Sequence, residues 1–313
     1  MLDVRRMRVL REVAAQGSFS AAAEVLAYTQ SAVSQQIAAL EREAGTKLVD
    51  RGSRGIRLTD AGRALVVHTD AIVSRLSAAQ AELEAIAGLR GGRLRLVAFP
   101  SVAASLMPPA IARFRDAHPA VELSLRPGEP DDGLALIKGG EADIALGVEL
   151  PDACQTPIPG ITRTALLEDP MYALLPAGHP LAGRRRLRLE ELAGESWIVG
   201  SMSQSCPDST ILLRACAVAG FEPNVAFESE DYLATQGFVA AGVGVSLVPD
   251  LACVTLRDDV VVRSLGSGAP SRRIFAATAS EVWSSPAREA MLDVLVAVGE
   301  EWGAERKTLR LAG

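Results

Sequence analysis

The chain has 313 residues, 49% hydrophobic and 22% charged, and a net charge of −6. That length suggests two or three domains, and that balance excludes a mostly disordered chain. The charge is uneven: residues 1–90 hold 12 Lys+Arg and 10 Asp+Glu, whereas residues 91–313 hold 20 and 28, a mildly basic head on an acidic body. The longest apolar run, Phe238 to Pro249, falls short of the roughly 20 residues a membrane-spanning helix needs.

In chain order, Met7, Leu10 and Val13 recur at helical spacing. Gly17-Ser18 stops that first helix, and Ser18 or Ser20 can cap a short second one over Ala21 to Ala27. Tyr28-Thr29-Gln30 reads as a turn, followed by a third helix from Ser31 to Ala44 that ends at Gly45. One face of it is apolar (Val33, Ile37, Leu40). Gln30, Ser31, Ser34 and Gln35 occupy the N-terminal turn and the other faces. That set suits the major groove of double-stranded DNA, because Gln can bond adenine at two points and Ser can reach bases or phosphate. Lys47 to Leu58 reads as a β-hairpin whose Gly-Ser-Arg-Gly tip is flanked by arginines. Beside such a helix it is either a wing touching the DNA backbone or a solvated charged turn.

From Thr59 to about Gly88 the chain lacks proline. Ile72, Leu76, Ala79, Leu83 and Ile86 form a heptad seam, which predicts pairing with a second copy; the competing reading is an amphipathic helix packed on its own domain. Gly88, Gly91 and Gly92 then read as a hinge. From Arg93 strands and helices alternate, with helices expected near 101–117, 131–139, 207–219, 230–241 and 286–302. Strands are expected near 94–98, 121–125, 143–147, 171–175, 196–199, 224–228, 245–248, 260–263 and 273–278. The alternation predicts an open, mainly parallel sheet.

Gly17-Ser18-Phe19-Ser20-Ala21-Ala22-Ala23-Glu24-x-Leu26, Gln30-Ser31-Ala32-Val33-Ser34-Gln35-Gln36-Ile37-x-x-Leu40-Glu41 and Leu58-Thr59-x-Ala61-Gly62 closely resemble the LysR-type transcriptional regulators. The body matches more loosely through Gly139-x-x-x-Asp143-Ile144-Ala145, Ala219-Gly220-Phe221-x-Pro223 and Val239-Ala240-Ala241-Gly242-x-Gly244-x-x-Leu247-Val248-Pro249. The resemblance implies an α+β winged helix-turn-helix head (1–58) and a dimerising linker helix with hinge (59–90). It further implies a two-lobed α/β effector domain like a periplasmic binding protein (91–303) and a short tail (304–313). Lobe I would be 93–162 plus 267–302, and lobe II 163–266. DNA contacts would fall on Gln30, Ser31, Ser34, Gln35, Arg51 and Arg54, and dimer contacts on Ile72, Leu76, Leu83 and Ile86. The family usually has Leu-Phe-x-Arg where this chain has Val49-Asp50-Arg51. A homodimer or homotetramer is implied, with RNA polymerase as a further partner.

The resemblance also implies a small-molecule effector between the lobes, with Ser101, Val102, Pro130, Met202, Ser203, Phe227 and Val248 as lining candidates. Pro130 stands where the family commonly has a hydroxyl, which weakens the usual anion pocket; capping or core packing is the plainer role for each of these residues. Peroxide-sensing members use two cysteines near Cys206 and Cys216, which gives a thiol-based redox sensor as an alternative; Cys216 also fits a helix core beside Leu212, Leu213 and Val218. An enzyme on the α/β scaffold is a third reading, but G-x-S-x-G, P-loop and G-x-G-x-x-G motifs are missing and His68, His118 and His179 stand apart. Cys154, Cys206, Cys216 and Cys253 form no C-x-x-C pair or zinc spacing, so no metal or cofactor is expected. The first residues, Met1-Leu2-Asp3-Val4-Arg5-Arg6, lack the apolar core of a signal peptide, and a cytoplasmic location is expected.

Overall fold

Side-chain caps set the limits of the N-terminal helices. The Asp3 carboxylate accepts from the Arg5 N–H and opens α1 (Val4–Gln16); Ser18 opens α2 (Phe19–Val25). The Thr29 hydroxyl accepts from the Ala32 N–H at 3.2 Å and opens α3 (Gln30–Ala44). Gln30, expected in the turn, is therefore the first residue of the helix. Gly45 ends α3 at a φ of 67°, a left-handed conformation that glycine adopts without a Cβ clash. The computed structural model describes residues 1–52, 55–86, 92–150, 157–202, 206–280 and 285–312.

After α3, β1 (Val49–Gly52) and β2 (Gly55–Leu58) pair antiparallel, from Val49 opposite Leu58 to Gly52 opposite Gly55. Met7, Leu10, Val13, Val33, Ile37, Leu40 and Leu48 form one core under the three helices and the hairpin. Each such buried side chain stabilises the fold by roughly 1.5–3 kcal/mol. The 27-residue α4 (Asp60–Ile86) starts hard against this hairpin: a Cβ on Gly62 would lie 2.1 Å from the Leu48 carbonyl oxygen, so only glycine permits the approach. Gly88 and Gly91, the expected hinge, lie outside the described residues. The chain divides into two compact units, Met1–Leu83 with Lys138–Gly140, and Glu84–Ile137 with Glu141–Gly313.

The second unit begins with β3 (Arg93–Ala98), α5 (Pro100–Ser105), α6 (Met107–Ala117), β4 (Glu122–Pro127), α7 (Pro130–Lys138) and β5 (Ile144–Glu149). It continues through β6 (Ile161–Pro176), β7 (Ser196–Val199), α8 (Pro207–Val218), β8 (Asn224–Glu228), α9 (Tyr232–Ala240), β9 (Val245–Pro249), β10 (Val260–Ser264), β11 (Ser271–Ala279) and α10 (Pro286–Ala312). The strand order is β4-β3-β5-β11-β6-β9-β7-β8, with β10 also on β6.

Three expectations need correction. The sheet is mixed rather than mainly parallel. Helix-connected pairs such as β3–β4 and β7–β8 are parallel, but β6 runs antiparallel to β9, β10 and β11, because β6 and β11 carry the chain between lobes. The lobe crossover lies further along than 162/163: Ile161 to Pro170 pair with β11, and Met171 to Leu174 pair with β9, so one strand serves both lobes and changes partners at Pro170/Met171. Finally, the segment read as a tail from 304 is helical to Ala312, because Glu305 to Leu311 contain neither glycine nor proline and propagate α10.

The lobes have separate cores. Leu94, Leu96, Val102, Phe114, Ile144 and Met291 build the first. Trp197, Leu212, Cys216, Val245 and Leu247 build the second.

Candidate nucleic-acid interface and effector cleft

In α3 the buried Val33, Ile37 and Leu40 turn one face to the core. That leaves Gln30, Ser31 and Gln35 exposed and Ser34 half-buried on the remaining surface. The Ser31 hydroxyl lies 3.0 Å from the Thr29 cap hydroxyl. Among the described residues the amides of Gln30 and Gln35 make no hydrogen bond, so their donors and acceptors stay available. Arg51 lies on β1, with its side chain outside the described residues, and Arg54 lies outside them altogether.

Two residues that were not singled out hold this surface in shape. The Glu41 carboxylate accepts from Lys47 Nζ at 2.8 Å and from the Leu48 and Val49 N–H groups at 3.0 and 3.4 Å, tying α3 to β1. Burial opposes its ionisation, but Lys47 and the two N–H groups prevail and hold the carboxyl below its usual range. The Thr59 hydroxyl donates to the Lys47 carbonyl at 2.8 Å and accepts from the Gly62 N–H at 3.0 Å, tying the hairpin to α4. Both residues stand inside the quoted motifs, which was the signal available for them. Along α4, Ile72, Leu76 and Leu83 are exposed, and the Ile86 side chain lies outside the described residues.

In the second unit a cavity of about 100 Å³ opens between the lobes. Its organising group is Arg272 of β11, 2% exposed. Arg272 Nε donates to Asp169 Oδ2 at 2.9 Å, Nη1 to Asp208 Oδ1 at 2.7 Å, and Nη2 to Ser101 Oγ at 2.7 Å. Its guanidinium lies 5.4 Å from the Phe99 ring centroid. Tyr232 Oη donates to Asp208 Oδ2 at 2.6 Å, and the Leu251 N–H donates to Asp169 Oδ1 at 3.1 Å. One guanidinium thus joins α5 of the first lobe, α8 of the second and the strands that cross between them. Burial pushes the Asp169 carboxyl up to about 6, against the pull of Arg272 and the Leu251 N–H. Burial alone would favour a neutral Arg272, but Asp208 and Asp169 overcome it and keep the guanidinium charged. None of Asp169, Asp208 and Arg272 stood out in the sequence.

The expected lining residues scatter. Pro130 and Val248 line the cavity. Ser101 meets it through Arg272. Val102 is fully buried as part of the first-lobe core. Phe227 stacks on Phe238 with ring centroids 5.6 Å apart. The Met202 N–H donates to Glu228 at 3.0 Å, and Ser203 lies outside the described residues. A larger open groove of about 810 Å³ runs along α8, lined mostly by second-lobe residues together with Leu150 and the start of β11 at Ser271.

Cys206 and Cys216 are not arranged to form a disulfide in this structure. Cys216 is fully buried, and burial raises its thiol to about 11, far from a reactive thiolate. Cys206 caps the start of the same helix, about 15 Å away along its axis. A disulfide needs Cα atoms within about 7 Å.

Residues 4–63 match the model of the bacterial regulatory helix-turn-helix proteins of the lysR family, and residues 87–300 match the LysR substrate binding domain. The chain belongs to the LysR family of transcriptional regulators. It is 31% identical over 297 residues to the transcriptional dual regulator GltC of Bacillus subtilis (strain 168), covering 90% of this chain and 95% of GltC. It is 32% identical to the probable HTH-type transcriptional regulator LrrA of Synechococcus elongatus, covering 94% and 96% of the two chains. The fold matches that of full-length CbnR complexed with its target DNA at a TM-score of 0.60 and 20% identity, covering 95% of this chain and all of that one. This LysR regulator is therefore a DNA-binding transcriptional regulator with an effector-binding domain. Among the described residues no helix is long and apolar enough to cross a membrane, and no group of three or more His, Cys, Asp or Glu could hold a metal ion.

Proposed function

We propose that this LysR regulator reads promoter DNA in the cytoplasm with Gln30, Ser31, Ser34 and Gln35 of α3 in the major groove. Arg51 and Arg54 of the wing lie on the backbone or in the minor groove. Two copies pair through Ile72, Leu76, Leu83 and Ile86 of α4, as a homodimer or within a homotetramer, so that two heads read two half-sites. A small molecule in the interlobe cleft modulates binding, with RNA polymerase as the downstream partner and no catalysis by the chain itself. The carrying observation is the capped α3, whose free Gln30 and Gln35 amides stand beside a hairpin braced by Glu41. Exposed Ile72, Leu76 and Leu83 support the pairing, because a lone helix gains nothing by presenting them to water.

The test is a quantitative gel shift on the promoter region beside the chain's own gene. Gln35→Ala is expected to change base preference at one position of each half-site, a difference of about 1–3 kcal/mol between preferred and substituted operators. Unaltered preference in a folded Gln35→Ala protein contradicts the placement of α3. Failure of the wild-type protein to bind that region or any genomic fragment contradicts the whole reading.

A further inference from the structure

The helix N-termini that meet at the interlobe cavity are poorly equipped to hold an anion. Pro100, Pro130 and Pro207 all line the interlobe cavity, and each is the first residue of its helix. Proline has no N–H, so each helix loses a donor at the end where an anion would be held. The Ser101 hydroxyl is engaged by Arg272, and two contacts of that guanidinium go to Asp169 and Asp208. Its charge is already balanced within the protein.

Further negative charge surrounds this closed network. Among the described lining residues Arg272 is the single cationic side chain, whereas Asp208, Glu129 and Glu230 are acidic. Neither Glu129 nor Glu230 makes a side-chain hydrogen bond or ion pair among the described residues. They come from opposite lobes: Glu129 precedes α7 in the first, and Glu230 lies between β8 and α9 in the second. Partial burial and then the charges of Glu230, Asp208 and Asp132 push the Glu129 carboxyl up, with Arg272 opposing. The space is about 100 Å³, below the roughly 150 Å³ of a cavity that takes benzene, and so suited to a compact head group.

We propose that the effector is a small organic cation, an ammonium or guanidinium head held between the lobes by Glu129 and Glu230. The inference rests on the reading of the cleft as the effector site. It also supplies a switching device: without ligand the two glutamates repel across the cleft, and a cation between them draws the lobes together. Ligand binding and lobe closure are then one electrostatic event, and an anion meets the same repulsion as the glutamates themselves.

The test is isothermal titration of the full-length protein at fixed ionic strength with methylguanidinium and putrescine, against acetate and succinate. Saturable binding of at least one cation, absent for both anions, is expected. The double variant Glu129→Gln/Glu230→Gln is expected to bind that cation at least about tenfold more weakly. Its unliganded melting temperature is expected to rise, because the repulsion is gone; that readout also shows that the variant folds. Succinate or acetate binding in place of the cations overturns the proposal, as does an unchanged cation affinity in the double variant or no binding by either cation. Ser229→Trp, which fills the cavity, separates the two readings. If it abolishes succinate binding, the cleft stands as the effector site and only the ligand class is wrong. If a bound probe is unaffected by it, the cleft reading falls as well.

Discussion

Glu41 and Arg272 each hold together segments that are distant along the chain, and each does so through its charge. The Glu41 carboxyl is held below its usual pKa of 4.5, so it stabilises the folded head above that value and loses this contribution as pH falls through the lower folded value. Glu41→Gln is expected to lower the hydrogen-exchange protection of the Leu48 and Val49 amides about tenfold or more at pH 7, matching about 1.5–3 kcal/mol for bonds to a charged group. The difference from wild type should vanish in acid. Equal protection at pH 7 contradicts the clamp. In the cleft, Arg272→Met leaves Asp169 and Asp208 facing each other without a cation and is expected to cost about 3–5 kcal/mol in chemical denaturation of the effector domain. A loss below about 1 kcal/mol would mean that the network adds little. These residues differ in how readable they were. Glu41 sits in a dense local motif, whereas Asp169 and Arg272 are 103 positions apart on strands with no motif around them. Only the crossing of β6 and β11 brings them together, and no local pattern encodes that crossing.

At the scale of elements, periodicity located most helices and strands of both units, since burial of one face leaves a mark every 3.6 or two residues. It failed where a strand changes partners. β6 is 16 residues long, yet only 171–175 stood out, because its first half pairs with β11 in the other lobe and follows a different burial pattern. A shared strand leaves no boundary in composition, so the crossover was misplaced at 162/163. The N-terminal cap of α3 was legible only to within one residue, since Thr29 and Gln30 can each open a helix. Along the proposed seam on α4, Ile72, Leu76 and Leu83 are exposed. Leu76→Asp places a charge in the proposed seam. Analytical ultracentrifugation at micromolar concentration is expected to show the variant dissociating at least one oligomeric step below wild type. An unchanged distribution assigns assembly to another surface.

For the whole molecule, the sequence sets a mildly basic head beside an acidic body, so the electrostatic attraction to DNA is expected from the head. The class of the molecule was legible because α3 and its flanks combine core periodicity with exposed amide and hydroxyl side chains in one short segment. The cleft's chemistry was legible only in part. Pro130 pointed away from the usual anion pocket, but the pairing of Arg272 with Asp169 and Asp208, and the presence of Glu129 and Glu230 at one cavity, exist only in three dimensions. The central claim is that α3 and the wing together form the DNA-binding surface. The most direct measurement is promoter affinity of the full-length protein against salt concentration, wild type beside Arg54→Ala. Affinity falling steeply with salt, with Arg54→Ala binding more weakly on every sequence and with a log–log slope shallower by about 1, is the expected result. A salt-independent affinity, or an Arg54→Ala protein with the affinity and slope of wild type, would contradict it.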